Sequence, residues 1–486
     1  MKRTTLMCAS VMALVALMLL PAIASADSFD ATGITDVNSV GINSMWVIVA
    51  GVLVMFMQAG FAFLEIGFSR GKNAGTVVAK VLMNFSIAGL AYWAVGFALA
   101  FGGLGDLWGS TGWFLHDFGD PAKAFPVMGF SDATVEAKWF FQFVFCAVSL
   151  AIVWGTTLER IKFGVYAIYA VVFAAVIYPI GSHWVFGGGW LQSNLGMQDF
   201  AGSTAVHLIG ATGALAVLLH LGPRRGKYGP DGKPRPIPGH NMPLFGLSIF
   251  ILWLGWFGFN PGSTLGALDT RFTEVVVTTQ LAACAGVLFA IITSRLLMKT
   301  IDIGMAGNGA IAALVAITAP SGYVVPWAAV VIGAVAGVLV VVSVLVIDRK
   351  LDDPVGALSA HGIAGIWGTL ACGLFTNPGL AEFNTFGEGG LVYTGSFHQL
   401  GVQALGVVTV FGFVFVASYI VFGLIKATYG LRVSAEEEDA GLDISEHGMY
   451  GYPEQFIPAP ELIGVGSTRP SASASAPGLS PSEVPA

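Results

Sequence analysis

The sequence predicts an all-α polytopic membrane protein of eleven transmembrane helices, built as two inverted five-helix repeats plus a final helix. Three observations predict it. The 486 residues are 55% hydrophobic and only 10% charged, with a mean hydropathy of +0.77, whereas soluble chains average about 25% charged residues. Apolar runs near the length that crosses a bilayer core as helix recur throughout. An aspartate and a histidine eight residues apart occur twice, in "DFAGSTAVHLIGATGALAVLLH" from Asp199 and in "DPVGALSAHGIAGIWGTLACGLF" from Asp353. The net charge of -7 carries little meaning here, because topology places the lysines and arginines. A lipid bilayer is the expected environment, and no nucleic-acid partner is expected.

The elements follow in chain order. Residues 1–26 have a basic start, an apolar run and the small-residue pattern Ala24-Ser25-Ala26. That is a signal peptide cleaved after Ala26, and it leaves residues 27–43 outside the cytoplasm. Membrane segments are expected at 44–68, 76–103, 138–158, 163–184, 199–221, 243–262, 272–297, 305–320, 325–347, 357–376 and 398–428. With the N-terminus outside, the inner loops hold Arg70, Lys72, Arg160, Lys162, Arg224, Arg225, Lys227, Lys233, Arg235, Arg295, Lys299, Arg349 and Lys350. The outer loops hold only Lys123, Lys138 and Arg271. This is the positive-inside bias, and an odd number of spans puts the C-terminus in the cytoplasm. Gly333 and Gly337, and Gly362, Gly365 and Gly368, suit close helix packing. Cys8 lies in the leader. Cys146, Cys284 and Cys372 sit singly in apolar segments and read as small core residues, with neither disulfide nor metal spacing. After 428 the chain turns polar and acidic, as suits a cytoplasmic tail over 429–466, and residues 467–486 are a low-complexity, disordered end.

The repeated aspartate and histidine are the candidate site. Segment five runs from outside to inside and segment ten from inside to outside. Eight helical residues rise about 12 Å, and half a bilayer core is about 15 Å. His207 and His361 therefore start from opposite faces and both reach the middle. An inverted repeat produces this, and transporters of that construction keep their site at the repeat interface. Two neutral imidazoles can share a proton, each ring donating from one nitrogen and accepting on the other. Charge in hydrocarbon is costly, so such a pair relays a proton without becoming a fixed cationic plug. The plain alternative for either ring is a core histidine bonded to a neighbouring helix. No third ligand points to a metal, and no cofactor is expected. Asp199 and Asp353 both begin helices, where a carboxylate caps free N–H groups. Asp353 reads as a structural cap, and Asp199, at the outer end, also stands where it stabilises an arriving cation.

Large rings crowd "WFFQFVFCAVSLAIVWGTTLERIKFG", "WLGWFGFNPGSTLG" and "HWVFGGGWLQS", and rings beside a hydroxyl can hold a small cation. Together "DFAGSTAVH", "GWFGFNPGS", "SAHGIAGIWG", "LERIKF" and "GLRVSAEEEDAGLDISEHG" resemble the ammonium transporter family (Amt/Mep/Rh), in its bacterial branch, over about residues 40 to 450. The resemblance implies a homotrimer with one pore per subunit in the cytoplasmic membrane. It implies recruitment and deprotonation of ammonium, passage of ammonia through an apolar pore, and a separate route for the proton through the twin histidines. By motif, His207 and His361 are the pore pair, and Asp199 supports recruitment or deprotonation. Phe145 and Phe259 are gate rings, Ser263 is the vestibule hydroxyl and Trp256 lines the pore. Phe186 stands where many relatives carry tryptophan, a stronger cation–π partner, although Trp190 is near. The tail resembles that of relatives regulated by a trimeric PII-type nitrogen-regulatory protein. Deprotonation would also exclude potassium, which has no proton to lose. A passive ammonia channel, an ammonium sensor signalling to a cytoplasmic partner, and an intramembrane enzyme are the alternatives. No catalytic serine, cysteine or metal constellation supports the last.

Overall fold

Helices that are apolar on nearly every face form where the sequence offers apolar stretches of about 20 to 30 residues, because in lipid each backbone N–H must find its acceptor within the segment. A computed structural model of the protein describes residues 37–116 and 120–456. The expected signal peptide and low-complexity end lie outside the described residues. Ten helices are long and apolar enough to cross a membrane. They are α1 (Val37–Phe68), α2 (Gly71–Phe101), α3 (Val135–Gly155), α4 (Phe163–Ser193), α5 (Ser203–Leu221), α6 (Met242–Gly262), α7 (Arg271–Met298), α9 (Pro326–Ile347), α10 (Leu358–Phe375) and α11 (His398–Thr428). The remaining expected span, α8 (Ile303–Thr318), has 16 residues, shorter than the roughly 20 a full crossing takes. Its end is not frayed. Phe200 and Ala201 donate backbone N–H bonds to the carbonyls of Ala319 and Thr318 at 2.8 and 3.1 Å, so the chain leading into α5 satisfies acceptors that a helix end leaves open.

The packing repeats. In the first half α1 lies on α3, α2 on α3 and α4, and α3 on α5; in the second α6 lies on α8, α7 on α8 and α9, and α8 on α10. Helices α1 and α6 pack most extensively across the two halves, and α11 covers α5 and α10. The small-residue seam expected at Gly333 and Gly337 is real. A Cβ at Gly333 would sit 2.1 Å from the Ala282 carbonyl oxygen, and one at Gly337 2.4 Å from that of Gly286, so α7 and α9 touch backbone to backbone. Two sequence expectations fail locally. Cys284 is exposed on the outside of α7 rather than in the core, since a lipid-facing and a core position are equally apolar in sequence. Lys138 is a buried helical residue, not a loop one; its Nζ donates to the carbonyls of Met128 and Ser131 at 2.5 and 2.6 Å.

One face of the bundle carries the chain after α11. There α12 (Ala435–Ala440) opens on a Ser434–Glu437 capping box and α13 (Leu442–His447) follows. Asp443 accepts N–H bonds from Gly75 and Thr76 at the start of α2, at 2.9 and 2.8 Å. Lys72 donates to the carbonyl of Glu438 at 3.0 Å, and Arg225 pairs with Asp439 at 3.0 Å. The tail is thus bound to the start of α2 and to the α5–α6 connection of its own chain, and this side of the bundle is the tail face.

Candidate functional site at the meeting of the two halves

Local chemistry shapes each histidine's surroundings before the helices meet. Asp199 Oδ1 accepts from the N–H groups of Gly202 and Ser203 at 2.6 and 3.0 Å, and Oδ2 from those of Thr204 and Ala205 at 2.8 and 3.0 Å. Asp353 does the same at α10, with Oδ1 accepting from Gly356 at 3.0 Å and Oδ2 from Leu358 at 2.8 Å. Between aspartate and histidine each stretch turns on a glycine at positive φ, Gly202 with φ +120° and Gly356 with φ +75°. The shared pattern is therefore Asp, glycine at +3, histidine at +8. Each helix then begins with a π turn, Ser203–Leu208 and Leu358–Ile363, that contains its histidine. A π turn inserts a residue into the helical register and re-aims the side chains around it, which is why such turns gather at functional sites.

The two rings meet. His361 Nδ1 lies 3.2 Å from His207 Nδ1, with ring centroids 5.3 Å apart and planes 19° apart. Both are buried. A contact between two like nitrogens is a hydrogen bond only when one ring carries its proton there and the other does not. His207 Nε2 is buried and has no hydrogen-bond partner.

Aromatic rings bound the pair toward the face opposite the tail. His207 stacks against Trp256 at 5.3 Å and Phe259 at 5.4 Å. Phe259 and Phe145 stack at 3.9 Å, 15° from parallel, and Phe141 follows 4.6 Å from Phe145. Trp256 is held by its Nε1–H, which donates to Thr318 Oγ1 at 3.0 Å. Ser263 is half-buried one turn beyond Phe259 and donates to its carbonyl at 2.9 Å. Toward the tail face a small, mostly apolar cavity opens at His361, with Phe61, Trp256, Asn308 and Glu65 among its walls.

The structure therefore gathers His207, His361, Trp256, Phe259, Phe145 and Ser263 along one line. Asp199 lies at the head of the same helix, buried and fully used by four N–H donors. Phe186 is half-buried at the end of its helical stretch and makes no ring contact with Phe145 or Phe259 among the described residues. Asp353 occupies the place in α10 that Asp199 occupies in α5. Sequence reading missed several participants. Gly202 and Gly356 were visible as a matched glycine in both strings. Ser203 was not: its hydroxyl donates to the Val315 carbonyl and receives the Ala319 N–H, both at 2.7 Å, tying α5 to α8. Phe141 and Gln142, whose buried Oε1 has no partner, lie in the ring-rich string of α3, where no role is expected for either.

The model of the Ammonium Transporter Family matches residues 45–452. The chain is 43% identical to the ammonium transporter Amt2 of Archaeoglobus fulgidus over 93% of its own length and 96% of that protein. It is 37% identical to a putative ammonium transporter of Synechocystis, over 86% of this chain and 91% of the relative. Among solved structures it is similar to one described as a sensor Amt protein, with a TM-score of 0.77 and 36% identity, covering 84% of this chain and 99% of that one. It is also similar to Mep2 of Candida albicans, with a TM-score of 0.77 and 27% identity, covering 89% and 95%.

Proposed function

The chain belongs to the ammonium transporter family, and on that premise we propose that it takes up ammonium across the cytoplasmic membrane by deprotonating NH4+, passing NH3 through an apolar pore and relaying the proton through His207 and His361. The observation that carries this reading is the Nδ1–Nδ1 contact at 3.2 Å, with His207 Nε2 left unpartnered in a buried, ring-lined path. A proton arriving at the bare Nε2 of one ring lets that ring's Nδ1 proton cross to the other ring, whose own Nε2 proton then leaves. No step needs both rings charged. The cost of a bare cation in hydrocarbon is avoided for the nitrogen, which crosses as ammonia past the stacked Phe145 and Phe259 when those rings part. Ser263 and the nearby rings form the recruiting vestibule on the outer side. Phe186 weakens that vestibule's hold on the cation relative to tryptophan. Asp199 acts at a distance, as a fixed negative charge and a cap, since its oxygens already accept four N–H bonds.

The same reading puts the tail face in the cytoplasm, assembles three chains with one pore each, and gives the tail to a PII-type regulatory protein. The basic loops and the acidic α12–α13 segment on one face support that orientation. An ammonium pulse on proteoliposomes tests the transport step. We expect a current in the wild type that falls at least tenfold in His207→Ala and in His361→Ala. Ammonia flux without current in the wild type would instead make the protein a passive gas channel. One observation favours a second reading as well: the likeness to the structure described as a sensor Amt protein extends over 99% of that chain. A transport-dead variant that still changes a cytoplasmic partner would establish it.

A further inference from the structure

The cavity on the tail side of the histidine pair has one titratable group on its wall besides the imidazole, and no step of the proton relay uses it. Glu65 lies in α1, one turn before the helix ends at Phe68, and lines the same cavity as His361. Its Oε2 is engaged by Lys80 of α2, and both side chains are almost fully buried. Lys80 Nζ is also 5.6 Å from the centroid of the Tyr166 ring, so the cation is enclosed by carboxylate and ring. The other carboxylate oxygen, Oε1, is turned to Gly155, where a Cβ would stand 3.9 Å from it, and Gly155 is itself part of the cavity wall.

Structure alone gives little reason for this pair. A buried ion pair is commonly no more stable than apolar side chains of the same volume. The pair keeps a carboxylate oxygen charged and oriented where His361 opens to the tail face. The cavity has room for a bridging water, and the Asn308 amide and Glu65 offer the polar partners such a water needs.

We propose that Glu65 is the proton acceptor at the tail-side end of the pore, taking the proton that leaves His361 and returning it to emerging ammonia, with Lys80 as its positioning residue. The imidazole N–H bond breaks, the ring keeps the electron pair and an O–H bond forms on Oε1, directly or across one water. The O–H bond then breaks as ammonia takes the proton and becomes ammonium. Lys80 keeps its charge throughout. The inference rests on the relay reading above and adds where the proton goes next.

The test uses the full chain in proteoliposomes, with ammonium-evoked current and ammonia flux, followed by an internal pH dye, measured in parallel. Glu65→Gln/Lys80→Met removes the pair without leaving a lone buried charge, and Glu65→Asp keeps a carboxylate. The expected result is a current at least tenfold below wild type in the neutral double variant, ammonia flux within twofold of wild type, and a current of at least a third of wild type in Glu65→Asp. A double variant that carries wild-type current, one whose ammonia flux falls in step with its current, or an aspartate that restores nothing overturns the assignment while the relay reading stands. A wild type without current overturns both.

Discussion

A glycine on each side decides where the histidines point. At Gly202 the backbone has φ +120°, and a Cβ would lie 2.7 Å from Val206 Cγ2. At Gly356 φ is +75° and the nearest atom is Asn308 Nδ2 at 3.0 Å, the movable end of a side chain. The first position combines a backbone region almost closed to other residues with a collision against the turn before His207. The second is the milder left-handed region with a yielding neighbour. Holding a non-glycine residue in such backbone regions costs about 1–3 kcal/mol. Gly202→Ala is therefore expected to lower the midpoint of thermal unfolding in detergent and cut ammonium-evoked current at least tenfold. Gly356→Ala should lower current by no more than a few fold. Equal losses at both sites would show that the glycines act only through general packing. The rings themselves need a different change. Trp256→Phe removes the N–H that donates to Thr318 Oγ1 and leaves that hydroxyl without its donor. A hydrogen bond of this kind is worth about 1 kcal/mol. The variant should keep its fold but lose several-fold in transport, because the ring at position 256 is no longer held in its plane against His207.

Among the elements, the tail is the one whose attachment can be cut without touching the pore. Asp443 gathers N–H donors from Gly75, Thr76 and Gly451 within 2.8–3.0 Å and also receives the Thr76 hydroxyl. It sits at the start of α2, where the helix dipole favours a negative charge. Asp443→Ala leaves those buried donors unsatisfied, a loss of about 1–3 kcal/mol. The expected outcome is faster limited proteolysis after Arg432 with an unchanged melting curve for the membrane part; a cleavage rate equal to wild type would show that other contacts hold the tail. This attachment was only half legible in the sequence. The acidic string announced a tail, but nothing in it named the start of α2 as its seat. The same division runs through the rest. The apolar runs foretold the helices because periodicity is local, and the repeated aspartate–histidine spacing set His207 and His361 at a common depth because each rise is counted along its own helix; that the rings touch came only with the structure. What needs two distant segments was not legible: the Ser203 bridge, or the Glu65–Lys80 pair split between two helices. The shortness of α8 was legible, since the expected span at 305–320 was already 16 residues, but its cap was not: Phe200 and Ala201, more than a hundred residues earlier, donate their N–H groups to the carbonyls at its end.

The halves of the whole molecule are joined on the tail face by a buried set of charges. Arg224, between α5 and α6, donates to Asp352, between α9 and α10, through its backbone N–H at 2.7 Å and its guanidinium at 2.9 Å. Arg160 donates to the Asp352 carbonyl at 2.9 Å and to those of Gly222 and Leu158. Glu159 takes Arg70 from the α1–α2 loop and faces Arg224 at 3.8 Å. Two loops of the first half and the connection between the halves thus close on one loop of the second. Burial alone would raise the Asp352 carboxyl, but the hydrogen bonds and charge of Arg224 and the charge of Arg160 outweigh it and hold the group at about 2. An ordinary unfolded aspartate titrates near 3.9. A carboxyl depressed in the folded state contributes stability that is whole above the unfolded value and is lost as pH falls through the folded one. The window is therefore pH 4 down to 2, and the contribution above it is about 2–3 kcal/mol. Asp352→Asn keeps the shape and removes the charge. It should lower the melting temperature of the detergent-solubilised protein at pH 7. Between pH 4 and 2 the wild type should lose this increment and approach the variant. Parallel curves for the two proteins across that window would show that this carboxylate does not hold the halves together, and that the apolar seam between α1 and α6 suffices.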